Sequence, residues 1–461
     1  MPSLVLNRVE RGRYLDSVAL MRLSRRLAAL PGVEGAALMI GTPSNKSLLR
    51  DAGLLAGEGE QAGADDLVIA VRATDEQTGR SALDSALVPI AQNRQTESFP
   101  HARSLRGALD LLPQANLALI SVPGDFAALE ARKALGAGLH ALVFSSGVSL
   151  EEERALKLLA NEKGLLLMGP DCGTALIAGT PIAFANAVPR GEIGIVSASG
   201  TGLQEVSCLI ARMGAGVSHG IGVGGRDLDE RVGALGTLAA IDALEEDAGT
   251  KTIVLISKPP APQVAEEVLQ HLRSCAKRTV VCFLGLDKPG LAPTLLAAAE
   301  MATGRKLGEE KTETASKPPG RQVHALYCGG TLCSEAELIF RRRGLDGHRF
   351  VDLGDDRYTR SRPHPMIEPE IRNDHIAAAL ADREVGVILV DVVLGYGAHP
   401  DPAGVLAKAI DRKKIFVASV TGTDDDPQVR SRQVATLRAA GALVAPSNAH
   451  AAELAASLVT Y

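Results

Sequence analysis

Tryptophan is absent from this chain, aromatic residues make up only 3% of it, and no basic stretch has aromatics interleaved through it. Lys plus Arg total 49 against 54 Asp plus Glu, a net charge of -5, so neither a nucleic acid nor an anionic membrane is an expected partner. Long hydrophobic runs are missing as well. Stretches such as "LLLM" are strand-sized, far short of a membrane span. The opening MPSLVLNRVERGRYLDS has too short an apolar run for a signal segment, and export is not expected. The six cysteines, Cys172, Cys208, Cys275, Cys282, Cys328 and Cys333, are scattered through apolar segments without C-x-x-C spacing. That pattern argues against a disulfide framework or a metal site and for a reducing, cytoplasmic setting.

What is present is a regular alternation. Segments rich in Val, Ile and Leu alternate with Ala/Leu/Glu/Arg segments along 461 residues, the pattern of parallel sheets covered on both faces by helices. The expected fold class is α/β: a Rossmann-like domain plus two flavodoxin-like doubly wound domains, with a small α+β N-terminal domain. The predicted boundaries are 1–100 for the α+β domain, 101–173 for the Rossmann-like domain, and 174–304 and 321–461 for the two flavodoxin-like domains. Residues 305–320, RKLGEEKTETASKPPG, have no apolar period and read as a linker.

The stretch GIVSASGTGLQEV brings a strand into a Ser/Gly/Thr turn and then a helix. Ser197, Ser199, Gly200 and Thr201 would leave exposed N–H groups at a helix start, an anion seat, although helix capping alone needs the same residues. No Lys follows the Gly as in a P-loop, and no G-x-G-x-x-G follows the first strand, which argues against that class of NTPase and a standard NAD enzyme. The turn has an echo: ASGTGLQE (198–205) and CGGTLCSE (328–335) share Gly-Thr and a later Glu, making Gly329, Gly330 and Thr331 a second seat. In GIGVGGRDLDE, Gly222, Gly224, Gly225 and Arg226 suggest close backbone approach to a ligand with a charge clamp, or a βα loop. In VDVVLGYGAHPDP, Asp391 and His399 are the candidate catalytic pair, and Gly395, Tyr396 and Gly397 a further anion-binding loop at a strand's carboxyl end. Arg357, Arg360 and Arg362 beside His364 form the densest basic cluster. No metal ligand set is expected.

Taken in order, SVPGDF, ALVFSSGV, LLLMGPDCG, GEIGIVSASGTGLQEV and GIGVGGRD resemble the α subunit of succinyl-CoA synthetase, and VILVDVVLGYG resembles the last domain of its β subunit. The layout, with an extra N-terminal domain, is similar to the FdrA family, and the resemblance covers most of the chain from about Ser104 onward. It implies CoA as a candidate cofactor, with Val122 and Pro123 at its site. In the synthetase a phosphorylated His follows the strand answering to TVVCFLGLD; here the chain continues KPGLAPTLLAAAE, and no acidic residue stands in ISKPPAP. The FdrA resemblance implies a subunit of an oxamate carbamoyltransferase-like complex, converting oxalurate and phosphate to oxamate and carbamoyl phosphate with further enzyme subunits. The alternatives are an acyl-CoA synthetase subunit and a non-catalytic ligand-binding scaffold. The expected ligands are small anions: acyl or carbamoyl phosphate, oxamate or oxalurate.

Overall fold

The structure, a computed structural model, describes residues 3–13, 15, 17–86, 102, 104–308, 318–359 and 363–460. Most of the linker segment, residues 309–317, and two arginines of the basic cluster, Arg360 and Arg362, lie outside the described residues. The fold is α/β, in two compact units: residues 1–113 with 358–363, and residues 114–357 with 364–461.

The first unit is a three-stranded antiparallel sheet in which Leu67–Ala73 lies between Leu4–Glu10 and Val33–Ile40. Alternation along the central strand divides its side chains between two cores. Leu67, Ile69, Val71 and Ala73 pack on the helices Ser17–Ala28 and Glu76–Ser85, while Val68 and Ala70 face Leu49, Leu54 and Ala62.

The second unit holds three sheets. The smallest is parallel: Leu117–Ile120, His140–Val143 and Leu167–Met168. The next has the parallel order Arg278–Phe283, Thr252–Ser257, Arg190–Ser197, Val217–Gly222, extended by an antiparallel hairpin of Thr174–Ile177 and Thr180–Ala183. The last is fully parallel, ordered Arg349–Asp352, Gln322–Tyr327, Val385–Val393, Ile415–Thr421, Leu443–Ala445. Numbered from its own first strand it reads 2-1-3-4-5, the flavodoxin-like order, and the sheet before it shares 2-1-3-4. Thr252–Ser257 and Val385–Val393 are buried along their whole length, as strands covered on both faces must be.

Four helices lie between these two larger sheets and share one core with both. They are Gly200–Arg212 and Leu295–Thr303 from one domain, and Gly330–Arg342 and Asn448–Val459 from the other. The opposite face of the six-stranded sheet packs with the small sheet through Leu142, Met168 and Cys172.

A fully buried ion cluster pins that second contact. Lys157 Nζ reaches Glu153 Oε1 at 2.8 Å, Asp227 Oδ1 at 2.6 Å and the Val223 carbonyl at 2.9 Å. Asp227 in turn accepts the N–H groups of Gly236 and Thr237. The partly exposed Arg226, 2.7 Å from Glu153, supplies the second positive charge, so the cluster survives burial only as a set. Lys157→Ala, which strands two carboxylates, is expected to cost about 3–5 kcal/mol, read as a lowered urea midpoint for the full chain.

Candidate functional site

The two turns that echo each other in sequence meet in space. Ser199 caps the helix Gly200–Arg212, its Oγ accepting the Gly202 N–H at 2.9 Å, and that hydroxyl donates to Thr331 Oγ1 at 2.6 Å. Thr331 lies in the first turn of the helix Gly330–Arg342. Two helix starts, one from each larger domain, thus lie in contact. The N–H groups of Gly200, Thr201, Gly330 and Thr331 have no acceptor among the described residues, as expected of first-turn donors awaiting a ligand or water.

Each turn is held from beneath by a different device. Ser197, buried, donates through Oγ to the Ser199 carbonyl at 2.7 Å and accepts the Ser199 N–H at 3.1 Å. Under the second turn the carboxylate of Asp391 accepts the N–H groups of Cys328 and Gly329, both at 2.8 Å. The fully buried Arg372 neutralises it, donating to the Asp391 carbonyl at 2.5 Å and reaching Oδ1 at 3.3 Å. Asp391 is therefore corrected from catalytic candidate to positioning residue: both oxygens are engaged and it is closed to solvent.

Two charged side chains flank the second helix start. Lys258, exposed at the end of the strand Thr252–Ser257, makes no hydrogen bond or ion pair among the described residues. A Cβ built on Gly330 would collide with Asp352 Oδ2 and come within 3.4 Å of Lys258 Nζ, so both side chains close on the same point. Asp352 ends its strand, and its Oδ1 accepts the Gly354 N–H at 3.0 Å. Burial pushes its carboxyl up to about 6, against the pull of Lys258. Across Gly354 stands His364, whose Nδ1 accepts the Met366 N–H at 3.2 Å and whose ring burial holds down to about 4, neutral at pH 7.

The other predicted residues are placed elsewhere. The Gly395-Tyr396-Gly397 loop is corrected as an anion seat, because two of its amides are taken: Gly395 N–H donates to Gln428 Oε1 at 3.1 Å and Tyr396 N–H to the Ala185 carbonyl at 2.9 Å. At Gly397 a side chain would strike Phe184. His399 is partly buried; its Nδ1 accepts the Asp401 N–H at 3.0 Å and its backbone contacts Met366 and Gln428, none of these in either first turn. The catalytic assignment of His399 is corrected accordingly. Gly222 and Gly224 are packing glycines: a Cβ would strike the Thr174 carbonyl at 2.5 Å in the first case and the Pro170 carbonyl in the second. Gly225 lies beside them with room for a side chain, and Arg226 is no ligand clamp, since it pairs with Glu153 at 2.7 Å and donates to the Val148 carbonyl at 2.8 Å. Val122 and Pro123 lie in the turn after the first strand of the small sheet, Leu117–Ile120, with the Val122 carbonyl accepting from Ser145 and Pro123 preceding the helix Gly124–Gly136. Cys172 is buried with its thiol pushed up to about 12, and Cys328 and Cys333 are buried with thiols raised by the same cause, so none serves as a thiolate. Lys258 and Asp352 are the residues that motif reading missed.

The glutamate that each echo carries has a structural task. Glu205 Oε1 accepts the N–H of Asn448, the first residue of the helix Asn448–Val459, at 3.1 Å, and Glu335 Oε1 accepts the N–H of Leu295, the first residue of Leu295–Thr303, at 2.7 Å. Each domain's first helix thus caps the other domain's last one. Asn448 joins the two, its Nδ2 donating to Glu335 Oε2 at 2.8 Å.

Comparison with known proteins places these features. Residues 326–458 match the CoA-ligase family model. Residues 3–103 match one described as "AllF, heavy metal-associated domain"; that stretch contains no cysteine and a single histidine, His101. The uncharacterized protein YahF of Escherichia coli is 42% identical, with 97% of both chains covered. A succinate–CoA ligase [ADP-forming] subunit alpha 2 of Archaeoglobus fulgidus is 27% identical over 44% of this chain and 75% of its own. A dinucleotide-forming acetyl-coenzyme A synthetase 1 of Ca. Korarchaeum cryptofilum aligns over 78% of this chain and 87% of its own at 18% identity, with a TM-score of 0.33, too low to carry an argument. Among the described residues no helix is long and apolar enough to cross a membrane.

The interdomain caps carry a pH signature. Burial lifts Glu335 to about 7, above its ordinary value near 4.5, so its stabilising contribution is full below pH 4.5 and is lost as pH rises through 7. Glu335→Gln keeps the acceptor for Leu295 and removes the titration. The wild-type thermal midpoint is expected to fall relative to that of Glu335→Gln between pH 5 and pH 8, measured by calorimetry; parallel curves would disprove it.

Proposed function

We propose, from the premise that this chain belongs to the family of YahF of Escherichia coli, that it is the subunit of an acyl-CoA-ligase-type enzyme that holds an acyl phosphate during acyl transfer. One observation carries the reading: the Ser199–Thr331 contact at 2.6 Å, which joins two helix starts with open N–H groups. Donors fixed in this way suit the oxygens of a phosphoryl group. When the acceptor attacks the acyl carbon and the C–O bond to phosphate breaks, the departing phosphate gains charge that these amides and Lys258 are placed to receive. Positioning by Ser197 and by the Asp391–Arg372 pair keeps the amides aimed without rearrangement during the reaction. CoA is the candidate acceptor in this reading, and the small parallel sheet bearing Val122 and Pro123 is its candidate site. The relatives named as ligase α subunits support further enzyme subunits as partners.

A second reading is carbamoyl transfer of the FdrA type, in which the acyl phosphate is carbamoyl phosphate and the acceptor is oxamate. The AllF match over residues 3–103 favours it, as does the loop after the strand Arg278–Phe283, which carries no histidine for a phosphoenzyme. Both readings use the same seat. With the chain purified together with its native partners, two assays separate them: acyl-CoA formation from acyl phosphate and CoA, and carbamoyl phosphate release from oxalurate and phosphate. Ser199→Ala/Thr331→Ala is expected to lower whichever rate is present by about a hundredfold or more. Undiminished turnover in the double variant would remove this cleft as the active site.

A further inference from the structure

We infer that the joint between the two larger domains is a proton-operated clasp: it stays closed on a protonated Glu335, and as that proton is lost the joint opens locally and admits water to the first turns of Leu295–Thr303 and Asn448–Val459. Glu205 and Glu335 are both buried, and all four of their oxygens accept: Glu205 from the Asn448 N–H at 3.1 Å and from Thr421 Oγ1, Glu335 from the Leu295 N–H at 2.7 Å and from Asn448 Nδ2 at 2.8 Å. Neither is in an ion pair among the described residues, so two ionised carboxylates would share one apolar layer without a counter-charge. Neutral donors lessen that cost, and a proton on one carboxyl removes most of it.

The groups facing Glu335 supply little compensating charge. Glu205 faces it from the helix Gly200–Arg212, the Tyr327 hydroxyl from the strand Gln322–Tyr327 and the Cys282 thiol from the strand Arg278–Phe283. Asn448 bonds it from the helix Asn448–Val459, and His450 of that helix faces Glu205. Burial keeps the hydroxyl and the thiol protonated and disfavours the charged imidazole. On the same helix as Glu335, burial keeps the Cys333 thiol protonated too, and Arg342, which favours ionisation, is held by Asp287 at 2.6 Å and by the Pro293 carbonyl at 3.0 Å. Burial prevails and lifts Glu335 to about 7.

Tyr327 keeps the closed joint marginal. Fully buried in the core shared by both larger sheets, its hydroxyl has no hydrogen-bond partner among the described residues, and opening gives it water. The helices that bear Glu205 and Glu335 begin at the Ser199–Thr331 contact, so the clasp governs that contact as well, whatever ligand it takes.

The test is hydrogen exchange of the full chain, read by mass spectrometry at about pH 6 and pH 8 and corrected for the intrinsic pH dependence of exchange, with the helix Glu76–Ser85 of the first unit as internal reference. A carboxyl that titrates at about 7 in the closed joint and at its ordinary 4.5 in the open one holds the joint fully below pH 4.5 and loses that hold as pH rises through 7. Protection over Leu295–Thr303 and Asn448–Val459 is therefore expected to fall about tenfold from pH 6 to pH 8, with the reference unchanged. Glu335→Gln, which keeps the acceptor for Leu295 and cannot ionise, is expected to abolish the fall. Tyr327→Phe, which removes the orphaned hydroxyl, is expected to raise protection about fivefold at both pH values and to leave the fall intact. Equal wild-type protection at the two pH values, or a fall that persists in Glu335→Gln, would overturn the clasp; unaltered protection in Tyr327→Phe would overturn the part given to that hydroxyl. The wild-type comparison decides the main point even if a variant folds poorly. No ligand or turnover enters the measurement, so the clasp and the reading of the two turns as an active site stand or fall separately.

Discussion

Two buried glutamates, Glu205 and Glu335, hold the two larger domains in one register. Each leaves its own domain's first helix and accepts the leading N–H of the other domain's last helix, and Asn448 ties the two carboxylates into one network. Helix starts buried without acceptors are costly, so each domain completes the other's secondary structure. The four helices between the sheets are thereby tied in one register, and the first turns at Gly200 and Gly330, little more than one helical turn before Glu205 and Glu335 on the same two helices, arrive in contact with one another. The site is a by-product of that mutual capping.

Around this contact the fully buried charges hold backbone, while two less buried ones, Lys258 and Asp352, are not spent in an ion pair among the described residues. Asp391 with Arg372, and Lys157 with Glu153 and Asp227, are closed to solvent, the second set being balanced by the partly exposed Arg226 on Glu153. Such sets are neutral-to-costly relative to an apolar core, and their use here is to aim amides and dock a sheet. Lys258 and Asp352 are the reverse: one is exposed, the other only partly covered, and each keeps an atom beside Gly330 without a hydrogen-bond partner among the described residues. Chemistry requires this second kind of group, because only an unsatisfied donor or acceptor has anything to offer a ligand.

What motif reading could reach and what it could not has a physical pattern. The Ser199 and Thr331 turns were legible because strand, small-residue turn and helix is a local device, and its repetition with a following glutamate marks two copies of it. The loop at Gly395 misled for the same reason: a glycine loop at a strand end looks identical whether its amides are open or spent, and here Gln428 and Ala185 take them from far along the chain. Arg226 read as a clamp because its partner Glu153 is distant in sequence. Lys258 and Asp352 carried no motif at all. They acquire meaning only when two strands from different domains end beside the same Gly330.

The sequence by itself determined the alternation of buried strands and helices, hence the α/β class and the flavodoxin-like wind of the last two sheets, because hydrophobic period and turn chemistry act over a few residues. It also determined that two turns of one design exist. The tertiary structure alone decided that those turns meet, that Gly395-Tyr396-Gly397 is closed while Gly200 and Gly330 are open, and that a lysine and an aspartate of unremarkable context flank the opening. Whether an amide or a charge is free is a property of what packs against it, and in this chain those partners are tens to hundreds of residues away.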